Sequence, residues 1–346
     1  MLPGATTITT TTTTATTKTT VASPTTTTTS KTTTTTATSK TSSTTSKTTT
    51  STTSTSSGSI PSGAITVGKN GVGKPWTGIH FILGSNIIYV YPGNYTEQIV
   101  ISRSGIKIYG QTSNKLAYSS NTVTISRYMS AAMAGSNDLS GTVRVLATGV
   151  SLYNLNIENT YGKGAQAIAL SVQAGTFGCY VCQLRGYQDT LLASRDTQFY
   201  GKCLITGATD FIFGLYGSIW ITGGTIQTVA SGYITASGLS SDDPNWYVID
   251  KTTVTGTGTS YLGRPWRNYA RVVFQNSNLG SIIPAAGWTQ WSTATPNTDH
   301  ILFGEYNNTG SGAWKSGRAS FATQLTAPIS ITTVLNSTSW VDAAYL

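Results

Sequence analysis

From about residue 64 onward the apolar positions come in short runs rich in Val, Ile, Leu and Tyr. Residues 86–91, 95–101, 106–109, 143–146, 151–157, 167–172, 176–184, 197–199 and 219–226 read as strands parted by Gly, Ser and Asn turns. Nothing between them is long enough for crossover helices, which argues against an α/β fold. Residues 76–83 have apolar spacing that fits a short helix, placed to cap an open sheet end.

The strands repeat. Cys182-Gln183-Leu184 is followed 21 residues later by Cys203-Leu204-Ile205, and 21 later again by Gly224-Thr225-Ile226. A period of 21 in a β-branched, Gly-punctuated segment predicts successive coils of a solenoid. Longer steps, 27 residues from Ile157 to Leu184 and 28 from Ile226 to Val254, place the extra residues in loops on one side. The expected fold is all-β, a right-handed parallel β-helix; an antiparallel sandwich or jelly roll is the rival. Period alone favours the helix.

Composition divides the chain. Residues 1–57 are almost wholly Thr and Ser with scattered Ala and Lys, and bury too little apolar surface to fold. They read as a disordered, O-glycosylated or plain flexible linker, leaving 58–346 for one large core or one long solenoid. Lys18, Lys31, Lys40 and Lys47 supply four of the positive charges behind the net +9. The folded part is therefore only mildly basic, without the stripe of a nucleic-acid binder. No apolar run reaches transmembrane length. No leader-like apolar segment follows Met1, so the start is trimmed or belongs to a longer chain. The triplets starting at Asn94, Asn307 and Asn336 fit N-glycosylation acceptors and, beside the Thr/Ser tract, point to secretion. Cys182 and Cys203, one period apart, are placed to stack or bridge, with Cys179 left over; buried structural thiols are the simpler expectation.

The period also aligns two acids. Asp189 in Gly186-Tyr187-Gln188-Asp189-Thr190-Leu191 precedes Asp210 in Asp210-Phe211-Ile212-Phe213-Gly214 by 21 residues. On adjacent coils their carboxylates fall on the order of 5 Å apart, a strand spacing, so one pKa is expected to rise. Gln188 beside Asp189, Gln166 on an inserted loop and Arg264 in a Gly-Arg-Pro turn are candidates to converge there. Arg264 near Asp210 keeps that acid ionised and nucleophilic, while Asp189 holds its proton as general acid. The glutamine amides suit an oxyanion. With only His80 and His300, and no Gly-x-Ser-x-Gly, neither a serine-hydrolase triad nor a His-rich zinc site is supported.

Five motifs in order, Gly93-Asn94-Tyr95-Thr96-Glu97, Gln166-Ala167-Ile168-Ala169-Leu170, the Asp189 and Asp210 motifs, and Leu262-Gly263-Arg264-Pro265-Trp266, resemble the pectin methylesterase family over residues 64–342. The resemblance implies a β-helix esterase acting on methylated homogalacturonan (pectin), without metal or organic cofactor; monomer is the default expectation, on which the sequence is silent. It implies Asp210 as nucleophile, Asp189 as acid/base, Gln188 and Gln166 at the oxyanion, and Arg264 orienting Asp210. Trp266 would stack on a galacturonate ring; Tyr187 and Phe211 line the same cleft or pack in the core. The plant family's substrate-contacting threonine falls where this chain reads Ser136 to Thr142. A retaining glycoside hydrolase fits two carboxylates at that separation, but needs no amide donors. A non-catalytic pectin-binding solenoid is the third reading.

Overall fold

The computed structural model describes residues 59–69, 74–75 and 85–346. The expected capping helix at 76–83, His80 and the Thr/Ser tract lie outside the described residues.

Strand pairing is parallel along the whole stack, and the chain forms a parallel β-helix with three faces. The antiparallel rivals are thereby excluded. One face takes a strand from each coil, among them Ser151–Tyr153, Phe177–Tyr180, Arg195–Gly201, Tyr216–Thr222 and Tyr247–Asp250. The second begins at Gly93–Thr96 and the third at Ile99–Ile101. The long strands Leu204–Gly214 and Thr225–Ser237 run through both.

Stacking in register explains the period. Ile125, Ile157, Leu184, Ile205, Ile226, Val254 and Leu279 sit one above another on successive coils. All are buried, and each contributes about 1.5–3 kcal/mol. The 27- and 28-residue coils keep this register because their extra residues leave the sheets as loops, as the spacing predicts.

Sequence runs that read as single strands are split. Residues 151–157 become Ser151–Tyr153 and Asn156–Asn159, and 176–184 become Phe177–Tyr180 and Gln183–Arg185. On most coils one left-handed non-glycine residue makes this corner, Asn154 (φ 52°), Val181 (φ 55°), Lys202 (φ 53°), Lys251 (φ 49°), Asn276 (φ 51°) or Asn307 (φ 47°), and after Thr222 it is Gly223 (φ 65°). Asparagine tolerates that conformation; for β-branched Val181 it costs about 1–2 kcal/mol, offset by complete burial.

The cysteines are three buried free thiols. Cys182 and Cys203 stack along the backbone without bridging, and the Cys203 sulfur lies 3.9 Å from that of Cys179. Cys179 is not left over, because it faces inward on the coil before Cys203. The C-terminal segment covers the first face. Helix Ile331–Leu335 and Tyr345 pack over an outer ladder in which Tyr109, Tyr153 and Tyr180 stack at 4.3 and 4.6 Å.

Candidate active site

The two acids stand at the bend between second and third faces. The Leu191↔Ile212 pairing and the Gln188↔Thr209 bridge set Asp189 beside Asp210 on neighbouring coils. Both backbones are left-handed, φ 65° and 50°, which Asp accepts more readily than most residues. The bend needs glycine four residues from the inward side chain. A Cβ on Gly186 would meet Thr190 Oγ1 at 2.6 Å, and one on Gly207 would meet Phe211 Cβ at 2.3 Å. The backbone is pinned across coils, Asp189 N–H donating to Thr209 O at 3.0 Å.

Both aspartates are buried, each residue 6% exposed. Arg264 grips Asp210 with two parallel hydrogen bonds, Nε to Oδ1 at 2.9 Å and Nη2 to Oδ2 at 2.6 Å. Its guanidinium lies between two rings, 3.9 Å from the centre of Tyr233 and 4.2 Å from that of Trp291. Planar stacking and the carboxylate fork together hold Arg264 in one orientation, which a lysine would not reproduce.

Burial, then the neighbouring Asp210 charge, pushes the Asp189 carboxyl up to about 8 against the pull of Arg264. Burial also raises Asp210, opposed by the hydrogen bonds and charge of Arg264. At Asp210, then, desolvation outweighs the arginine, which the sequence reading did not anticipate. The reason is depth: Asp210 has lost almost all its water.

These groups open into a cleft of about 260 Å3 whose lining includes Gln166 and Gln188. Among the described residues neither glutamine carboxamide has a hydrogen-bond partner, so both are free for a ligand. Trp266 lines the cleft too, its ring 6.2 Å from that of Phe213. Of the residues suggested as lining, Phe211 is a correction. It alternates inward from Asp210 and is fully buried in the core. Tyr187 is half-buried outside the cleft lining and serves through its backbone, its carbonyl accepting from Ala208 N–H at 2.6 Å.

Trp291, Phe213 and Asn137 line the cleft without having been singled out. Trp291 comes 25 residues after Trp266, on the coil that bridges back to Gly263 through Trp288, a step that counting by 21 does not flag. Tyr233 had a signal: it pairs with Tyr261 on the next coil, their rings 5.9 Å apart. Among the described residues no group of three or more His, Cys, Asp or Glu side chains is disposed to hold a metal ion.

Fold and site together define a parallel β-helix protein with a carboxylate pair, an arginine and free amides in one surface cleft. The Pectinesterase family profile matches residues 82–336. A pectinesterase of Aspergillus aculeatus is 45% identical over 314 residues, covering 82% of this chain and 93% of that protein. The crystal structure of the pectin methylesterase from Aspergillus niger superimposes with TM-score 0.76 at 41% identity, covering 83% of this chain and 99% of that one. The carrot pectin methylesterase gives 0.71 at 25% identity, covering 80% and 94%.

The chain belongs to the pectinesterase family. It is accordingly a carboxylic ester hydrolase acting on pectin methyl esters. None of the helices among the described residues is long and apolar enough to cross a membrane.

Proposed function

We propose that the Asp210 carboxylate attacks the methyl-ester carbonyl of a galacturonate unit, through a covalent acyl-enzyme. The oxyanion formed is stabilised by the carboxamides of Gln188 and Gln166. Its collapse breaks the bond to the methoxy oxygen, to which Asp189 gives its proton, releasing methanol. Asp189, now ionised, takes a proton from water; the hydroxide adds to the acyl carbon, and the Asp210 carboxylate leaves. Product acid is freed and Asp189 ends protonated, as it began.

Arg264 orients Asp210 and contacts substrate, and Trp266 offers its face to the sugar ring. The observation that carries the reading is the asymmetry of the pair. One buried acid is gripped by Arg264 while its neighbour, ungripped, is raised to about 8 and so protonated at neutral pH. A glycosidase would not need the free amides.

The same proposal covers the rest of the chain's biology. Residues 58–346 act as a secreted, monomeric catalytic domain on homogalacturonan in cell walls, and residues 1–57 are a Thr/Ser linker. Neither metal, organic cofactor nor nucleic acid takes part.

The test measures methanol, new reducing ends and unsaturated products from highly methylated pectin. Methanol alone is expected, and Asp210→Ala is expected to lower its rate roughly 10⁴-fold or more with the fold unchanged by circular dichroism. Full turnover by Asp210→Ala would remove the nucleophile assignment.

A further inference from the structure

The arginine that grips Asp210 comes from two coils away. Gly263 pairs with Thr235 on the coil of Tyr233, and Tyr233 pairs with Thr209 on the coil of Asp210. Arg264 N–H donates to Thr235 O at 3.0 Å, which fixes the arginine backbone at that level. Coils lie about 4.8 Å apart, so the guanidinium has to reach back roughly 10 Å across the coil in between. A side chain with that much rotamer freedom needs a surface to lie on before it will settle on one carboxylate edge.

Tyr233 supplies the surface. Between the pairs Thr209↔Tyr233 and Ile212↔Thr235, Asp210 and Phe211 stand opposite Ile234 alone. Ile234 is buried in the core, so alternation turns Tyr233 outward beside Asp210. Its ring centre lies 3.9 Å from Arg264 Cζ, and the Tyr261 ring of the next coil stacks with it at 5.9 Å, the planes 20° apart. Trp291, the second ring against the guanidinium, lines the cleft; Tyr233 does not. Among the described residues the Tyr233 hydroxyl makes no hydrogen bond. What Tyr233 offers is the face of its ring.

The aim of the arginine matters because its fork is what opposes burial at Asp210. The titratable groups that face the guanidinium are Asp210, Tyr233 and Asp189. A guanidinium free to swing would leave the Asp210 carboxylate desolvated and poorly opposed.

We propose that Tyr233 is a positioning residue for the reaction, its ring holding Arg264 square to Asp210 from the intervening coil. It acts through the arginine and touches neither substrate nor the reacting atoms. The inference rests on the esterase reading above.

The test compares methanol release by the full chain with that of Tyr233→Leu and Tyr233→Phe across pH, together with the crystal structure of Tyr233→Leu. Tyr233→Leu is expected to lower kcat at pH 5 about tenfold, with KM within about twofold. Asp210, less well opposed, should hold its proton to higher pH, so the acid limb moves up and most of the rate returns by about pH 7. Tyr233→Phe keeps the ring and should restore the wild-type profile to within about twofold. In the crystal the Leu variant should lose the two-bond fork between Arg264 and Asp210. An unmoved acid limb, a loss equal at every pH, a Phe variant as slow as Leu, or an intact fork overturns the assignment. If Tyr233→Leu does not fold, Tyr233→Met, also without a ring face, is held to the same outcomes. Full turnover by Asp210→Ala would instead remove the nucleophile, and the Tyr233 role with it; an inactive Asp210→Ala beside an unmoved acid limb removes Tyr233 alone.

Discussion

Two arginine–carboxylate pairs in this molecule share the same forked hydrogen bonding and differ in their surroundings. Arg318 meets Glu305 with Nε to Oε1 and Nη2 to Oε2, both at 2.7 Å, near the C-terminal end of the stack. Arg264 meets Asp210 at 2.9 and 2.6 Å beside the cleft. The first pair is sealed, with side-chain exposures of 2% and 1%, against 18% and 9% for the second.

Around Arg318 the remaining polar capacity is used up. Trp288 Nε1 donates to Glu305 Oε1 at 3.0 Å, and Arg318 also donates to the carbonyls of Pro284, Ala285 and Gly312. Around Arg264 it is not. Two aromatic faces restrain the guanidinium, and Asp210 keeps unpaired capacity towards a second acid that repels its charge. A buried pair whose bonds are all satisfied locks structure; one left incomplete beside a second carboxyl is poised for chemistry.

The sharpest way to break this contrast is to unpair each arginine. Arg318→Leu leaves Glu305 charged and buried, and about 3–5 kcal/mol of stability should go, read by urea unfolding. Turnover per folded molecule should hardly change. A variant as stable as wild type would show that the sealed pair is dispensable.

Next in size is an effect on stability from the active site itself. Asp189 binds its proton more tightly folded, at about 8, than unfolded. Between about pH 4 and pH 8 the unfolded chain has lost this proton and the folded one retains it, so stability from this group falls as pH rises. Asp189→Asn has no such slope. Its advantage over wild type should grow from near zero at pH 4 to on the order of a few kcal/mol at pH 8. Parallel stability–pH curves for the two proteins would contradict the raised value.

Arg264→Leu should act on rate more than on folding. Without its opposing charge, the Asp210 carboxyl rises further, and the acid limb of the kcat profile should move up with it. Methanol release at pH 5 would then fall by roughly 10- to 10³-fold, with part of the loss recovered at higher pH. A uniform loss at all pH values would mean that the arginine only orients substrate.

The smallest effect concerns the wild type. If Asp189 must be protonated to release methanol, kcat should decline above about pH 8, approaching tenfold per unit. A rate rising steadily through pH 9 would remove Asp189 from that role.

Much of the solenoid was legible in the linear pattern, for a physical reason. In a stacked coil each inward side chain packs on its equivalent one turn away, so Ile157, Leu184, Ile205, Ile226 and Val254 can be aligned by counting. The same counting paired Asp189 with Asp210. Most corners were invisible, because one left-handed Asn, Lys or Val turns the chain without a Gly or Pro to mark it, Gly223 being the exception. Whole runs therefore read as single strands.

Packing alone decided the rest. Phe211 carries the same aromatic signature as a cleft residue, yet alternation from Asp210 drives it into the core. Trp291 reaches Arg264 from the next coil, after a step that counting by 21 does not find. Proton affinity was the least legible of all. Counting residues put two acids together, but how far burial lifts each depends on the water excluded around it, which only the folded cleft sets.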